Sequence, residues 1–342
     1  MIRLPANTLL RASSAAIIAL SALFALTGCG EDKKTSAQPR AAAQIPVGVV
    51  QLVEHEALDA TVKGFIDELA ARGFKDGEKI RIDRQNAQGD QTTLSNIGGR
   101  FVSAKSGLIF ASSTPALQAM ARSTKTIPIV ATAVTSFEAA RVVKSDQAPG
   151  GNVTGVSNLG PIAAQLELLV ELTGEKTKTE PVGVIFNPSE VNAEYQVEKF
   201  RAEAKARGIA VIEAAAGSVN DVPQAIASMR GKVCALWLPT DNVLASAAAN
   251  VAKLAIDAKL PVIASDSALV RAGSLASISV DYYELGRMTG AIGADILEGK
   301  KKPADTPIAF QNAQKPLVNM KTASAIGLEI PQKVLERSEK LE

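Results

Sequence analysis

Residues 46–50 read Pro46-Val-Gly-Val-Val50, and residues 181–185 read Pro181-Val-Gly-Val-Ile185. The offset between them is 135 positions. The same offset relates Phe65 to Phe200, and Ala71-Arg-Gly73 to Ala206-Arg-Gly208. One spacing thus covers an apolar run, an amphipathic segment and the glycine that closes it, which marks two copies of one unit. Ile127-Pro-Ile-Val-Ala131 and Leu260-Pro-Val-Ile-Ala264 repeat at an offset of 133.

Each copy alternates strand-like and helical patterns. In the first, Val47 to Leu52 is a strand, and Leu58, Val62, Phe65, Ile66 and Leu69 follow at helical spacing on one face. Gly73 ends that helix. Further strands are expected at 79–83, 108–111 and 127–131, with helices over 92–105 and 115–123. The second copy has strands at 182–186, 210–214, 235–238 and 261–264, with helices over 197–207 and 243–258. Apolar strands joined by helices form parallel sheets covered on both faces. The fold class is α/β, with two doubly wound parallel-sheet lobes and a ligand cleft between them. The 342-residue length fits two lobes.

Doubly wound sheets bind ligands beyond the carboxyl ends of their strands, and the residues there are polar. The first strand ends in Gln51, Glu54 and His55. The third ends in Ser112, Ser113 and Thr114, where Thr114 reads as N-cap with Pro115 at the first helical position. Thr135 follows the fourth. In the second lobe Asn187 and Glu190, then Thr240, Asp241 and Asn242, then Asp266 take the same places. Hydroxyls and helix amides suit a carboxylate, and an acid suits an ammonium, so the set fits a small zwitterion. Asp266 shows no capping duty in the sequence. Asp241 does, at a helix start.

Composition excludes several classes. Lys and Arg number 37 against 35 acids, giving nucleic acid no basic surface to bind. The single histidine, His55, leaves no metal cluster and makes any Ser-His-Asp triad rest on one residue. No G-x-S-x-G, no Walker A sequence and no G-x-G-x-x-G after a strand occurs, so no cofactor is expected. Cys234 lies in an apolar run and reads as a buried thiol.

The N-terminus is a targeting segment. Residues 1–28 hold two arginines, no acid and an apolar stretch from Ala12 to Ala25 that is short for a membrane span. Leu26-Thr-Gly-Cys29 resembles the bacterial lipobox, in which the cysteine becomes N-terminal and lipid-modified. Residues 29–45 read as a flexible tether. Loss of residues 1–28 leaves 35 charges of each sign. Acyl chains, rather than charge, would hold the protein at the membrane.

Gln51-Leu-Val-Glu-His55, Asn86-Ala-Gln-Gly-Asp-Gln91, Pro149-Gly-Gly-Asn-Val-Thr-Gly155, Pro239-Thr-Asp-Asn242 and Asp281-Tyr-Tyr-Glu-Leu-Gly286 resemble the substrate-binding lipoproteins of ABC importers, in the family of tryptophan- and tyrosine-type uptake proteins. The resemblance implies a type 1 periplasmic-binding fold with three crossing strands. It implies a small polar ligand, an amino acid and possibly an aromatic one, held by lobe closure. It also implies an ABC permease and its ATPase as partners, and a monomer outside the cytoplasm. The expected boundaries are lobe one at 46–152 with 281–310, and lobe two at 153–280 with 311–334. The family has Asp-Pro after the threonine where this chain has Ser136-Phe137, so Phe137 is expected to add an aromatic wall. The alternatives are a lipid-anchored sensory binding module and an α/β enzyme using His55.

Overall fold

The computed structural model describes residues 43–342. The signal segment, Cys29 and most of the tether lie outside the described residues.

Lobe one carries a six-stranded sheet. Its strands are β1 (Ile45–Gln51), β2 (Ile80–Asn86), β3 (Leu108–Ser112), β4 (Ile129–Val134), β5 (Val153–Ser157) and β11 (Ala309–Phe310), in the order β11-β5-β4-β3-β1-β2. Lobe two carries β6 (Val182–Phe186), β7 (Val211–Ala215), β8 (Ala235–Leu238), β9 (Val262–Ala264), β10 (Ala276–Ser277), β12 (Leu317–Asn319) and β13 (Glu339–Leu341), in the order β13-β12-β10-β9-β8-β6-β7. The repeat is visible in the pairing. β1 pairs in parallel with β2 and β3, as β6 does with β7 and β8.

The shared residues do equivalent work in the two cores. Phe65, on α1 (Glu56–Ala71), stacks on Phe110 of β3 with ring centroids 4.1 Å apart. Its counterpart is Phe200. On α5 (Val191–Ala206), it stacks on Trp237 of β8, also at 4.1 Å. All four side chains are fully buried, so each pair adds ring geometry to the area it removes from water.

The sheet pairings move two expected boundaries. Val153–Ser157 was expected in lobe two, but it pairs with β4 in lobe one's sheet (Ile129↔Val153). The chain leaves lobe one at residues 158–161, returns at 278–281 and crosses again at 311–316. Gly155 explains why the strand sits there. It adopts φ +157°, and a Cβ would overlap the Ala131 carbonyl, so only glycine lets β5 approach β4 at their register shift. β13 pairs with β12 and carries lobe two past residue 334 to Leu341.

Two more helices differ from expectation. The 243–258 segment breaks at Ala247 into α7 (Asn242–Ser246) and α8 (Ala248–Asp257). α5 begins at Val191, six residues before the expected start, because its first turns are polar and carry no apolar period. Elsewhere, α10 (Tyr282–Leu297) packs against α1 through backbone contact. A Cβ on Gly286 would overlap the Thr61 carbonyl, and one on Gly64 the Tyr283 carbonyl. This crossing fixes the start of α10 beside the start of α1, and both face the cleft.

Candidate functional site

A cavity of about 20 Å³ lies between the lobes at the strand ends. Lobe one supplies His55, Leu58, Ala133, Asn158 and Tyr282. Asn192, Thr240, Asp241, Asn242, Ala245 and Asp266 come from lobe two. This is room for about one water molecule, because the lobes touch directly. His55 Nε2 lies 3.4 Å from Asn242 Oδ1, and the Thr135 hydroxyl 3.4 Å from that of Thr240. Gln196 Nε2 donates to Thr135 Oγ1 at 3.2 Å, and Arg271 pairs with Glu56 at the rim. Any solute held here must part the lobes and replace some of these contacts.

His55 is the N-cap of α1, and its Nδ1 accepts the Leu58 N–H at 3.5 Å. Nε2 then carries the hydrogen and donates to Asn242. Burial pushes its pKa down, partly offset by the Asn242 bond, so the ring is held neutral. Both nitrogens have partners, and neither is left to act as a base. His55 caps α1 and joins the two lobes through Asn242.

The acids are concentrated in lobe two. Asp241 caps α7 by accepting the Leu244 N–H at 3.0 Å, while its other oxygen accepts the Asn187 N–H at 2.6 Å. Burial, with Glu190 nearby, raises its pKa to about 7. Asp266 caps the short helix α9 (Ser267–Arg271), accepting from Ala268 N at 2.8 Å, which corrects the expectation that it had no cap to make. Burial raises its pKa to about 6. Glu190 accepts from Asn242 Nδ2 at 2.6 Å and from Asn192 Nδ2 at 2.9 Å, and so orients both amides.

Asn192 was not foreseen. Its Nδ2 donates to the Glu190 carboxylate and to the Thr240 carbonyl, both at 2.9 Å, which fixes which end is oxygen. That oxygen is buried in the cleft wall with no hydrogen-bond partner among the described residues. Asn158 and Tyr282 were also missed as lining residues. Asn158 Nδ2 donates to the Tyr282 hydroxyl at 3.0 Å. Burial drives the Tyr282 pKa well up, so its hydroxyl stays protonated.

Several expected residues lie off the cavity. Gln51 is buried and spends its side chain on Val53 O, Asp59 and Arg84 within lobe one. Glu54 is exposed. Ser112 is buried against the Thr61 hydroxyl at 2.7 Å. The cap of α3 (Thr114–Ser123) is Ser113, one residue before the expected Thr114. Ser113 accepts from Ala116 N at 3.2 Å and holds φ +106°, a conformation costly for a residue with a Cβ. Thr114 Oγ1 is buried with no partner among the described residues. Asn187 acts through its backbone, on Asp241, and Phe137 is fully buried in lobe one's core rather than in the cavity wall.

The arrangement is a two-lobed clamp with acceptors on one jaw. The family model described as "ABC transporter substrate binding protein" matches residues 46–342. The chain belongs to that family. A "Tyrosine-binding protein" of Clostridioides difficile (strain R20291) is 41% identical over 313 residues, 89% of this chain and 88% of that one. The crystal structure of an ABC domain in complex with L-Trp from Streptococcus pneumoniae is 36% identical. It covers 88% of this chain and 100% of its own, with a TM-score of 0.83. A ligand-free, open substrate-binding protein with adhesive properties from Clostridium difficile is 41% identical over 87% of this chain and 99% of its own, yet its TM-score is 0.67. The superposition is better on the liganded relative than on the open one although its sequence is less similar, in keeping with lobes that touch across the cleft. As a substrate-binding protein of an ABC transporter, this protein takes a small-molecule ligand outside the cytoplasm. No helix among the described residues is long and apolar enough to cross a membrane.

Proposed function

We propose that this protein captures an aromatic amino acid between its lobes and presents it, closed, to an ABC permease. It acts as a monomer held at the membrane by lipid on Cys29. The observation that carries the reading is the set of acceptors on the lobe-two wall: Asp241, Asp266 and the unpartnered oxygen of Asn192. An ammonium donates three hydrogen bonds and accepts none, and this wall matches it. Thr114 and the amides at the start of α3 lie outside the small cavity and would meet the carboxylate from lobe one once the lobes part around a ligand. A ligand gripped by both jaws favours closure by its differential affinity for the closed form. The ligands named for the relatives, tyrosine and L-Trp, support the choice of an aromatic side chain.

The test is native mass spectrometry of protein purified without added solute, followed by calorimetry with L-tyrosine, L-tryptophan, L-phenylalanine, D-ribose and succinate. The expected result is tight binding of at least one aromatic amino acid and none of the sugar or the diacid. Preferential binding of ribose or succinate would overturn the proposal.

A further inference from the structure

A second cavity, of about 280 Å³, lies on the hinge side of the cleft. Its walls come from both lobes. Glu56 and Ala60 belong to α1, Arg271 to α9, and the hinge region contributes Ser277, Asp281 and Lys315. Tyr282 is shared with the ligand cleft and forms part of the partition between them.

Two observations mark this space as more than a gap. The first is the Ser277 hydroxyl. Ser277 is 1% exposed, lines the cavity and has no hydrogen-bond partner for its Oγ among the described residues. A buried hydroxyl left this way is destabilising unless something enters to bond it. The second is the charge pattern. Glu56 and Arg271 pair with each other across the lobes. Lys315, Asp281 and Glu339 also line the cavity, and none makes an ion pair among the described residues. One cation and two anions without ion-pair partners, of which Asp281 also caps α10 by accepting the Glu284 N–H at 3.0 Å, complement a molecule that carries both signs.

We propose that the hinge cavity is a second ligand site, for a small zwitterion of amino-acid size, whose occupancy is coupled to closure. Lys315 meets the carboxylate, Asp281 and Glu339 the ammonium, and Ser277 bonds from the wall. The site exists only while Glu56 and Arg271 are close, because the two sides belong to different lobes. A molecule here stabilises the closed form, and a molecule in the cleft raises affinity here by the same factor that this one raises affinity there. The proposal does not depend on which solute the cleft holds.

The experiment follows amide resonances of the full mature chain while glycine, L-serine and L-tryptophan are each titrated into the millimolar range. Amides of Ser277, Ser279 and Lys315 report the hinge cavity, and those of Asn192 and Asp241 report the cleft. The expected result, for at least one probe, is saturation of the hinge amides with a midpoint of their own. Lys315→Ala should move that midpoint up roughly 10-fold, the scale of one charge-assisted bond, and leave the cleft midpoint within about 2-fold. Ala60→Trp, which fills the cavity, should remove the hinge response. Hinge amides that stay still with all three probes, or move only at the cleft midpoint and ignore Lys315→Ala, overturn the proposal. A cleft that binds none of the probes while the hinge saturates would fail the amino-acid reading of the cleft alone.

Discussion

Acid should weaken ligand binding, and the structure sets the scale. Asp266 is buried and holds its proton up to a pH of about 6, and Asp241 up to about 7, because burial penalises each carboxylate. An ammonium in the cleft competes with that proton, since it favours the ionised form. Between pH 8 and pH 5 the ligand keeps its own charges, and only the acids titrate. At pH 5 a carboxyl with a pKa of about 6 is roughly nine-tenths protonated, which costs roughly 10-fold in affinity. One with a pKa of about 7 costs roughly 100-fold. Affinity for an amino acid should therefore fall by roughly 10- to 100-fold from pH 8 to pH 5, with net proton release on binding near pH 6. Stability of the ligand-free protein runs the other way. A carboxyl raised above its unfolded value of 3.8 contributes stability that is full below that value and lost as pH rises through about 6 to 7. For Asp266 the difference is about 3 kcal/mol. The assay is titration calorimetry at several pH values, in two buffers of different ionisation heat. An affinity that is flat from pH 5 to pH 8, or that rises in acid, refutes the argument.

Further expectations concern other levels of the structure. Gly286→Ala should destabilise the protein by about 3 kcal/mol, because the new Cβ meets the Thr61 carbonyl and forces α10 off α1; thermal unfolding measures this, and an unchanged midpoint would contradict the packing. Replacing Ser113 and Thr114 together by Ala should weaken amino-acid binding by about 1–3 kcal/mol if they serve the carboxylate. Unchanged affinity in the folded double variant would leave them only a capping role. Cys29→Ser should release the protein from membranes in cell fractionation, and wild-type partitioning would remove the lipobox reading.

The fold was legible because its information is repeated. The 135-residue offset placed Phe65 and Phe200 in equivalent positions, and both form the stacked centre of a lobe. What escaped were positions fixed by the neighbouring chain. Val153–Ser157 looks like a linker until Gly155 is seen to allow contact with β4. The lining of the candidate site was legible where residues follow strands closely, as with Asp241, Asn242 and Asp266. Asn192 escaped because it lies a turn into α5. A signal was present: Asn192 and Gln196 are four apart, so two polar side chains share one helix face. Both are buried and reach Thr240. Phe137 was misplaced because sequence position beside the cleft does not say which way a side chain points. His55 was ambiguous for a similar reason, until Asn242 was found across the lobes.

The central claim is that acids of lobe two hold the ligand's ammonium, and substitution of those acids tests it most directly. Asp266→Asn keeps shape and cap while removing charge; Asp241→Asn keeps the cap on Leu244 N–H but gives up the bond from Asn187 N–H, because an amide has one acceptor oxygen. Titration calorimetry of both variants with L-tyrosine and L-tryptophan at pH 8 should show at least one variant weakened by roughly 10- to 100-fold for whichever amino acid the wild type binds, the scale of a hydrogen bond to a charged group. The same variant should lose part of the pH dependence. Wild-type affinity in both variants, with the pH profile intact, would contradict the account.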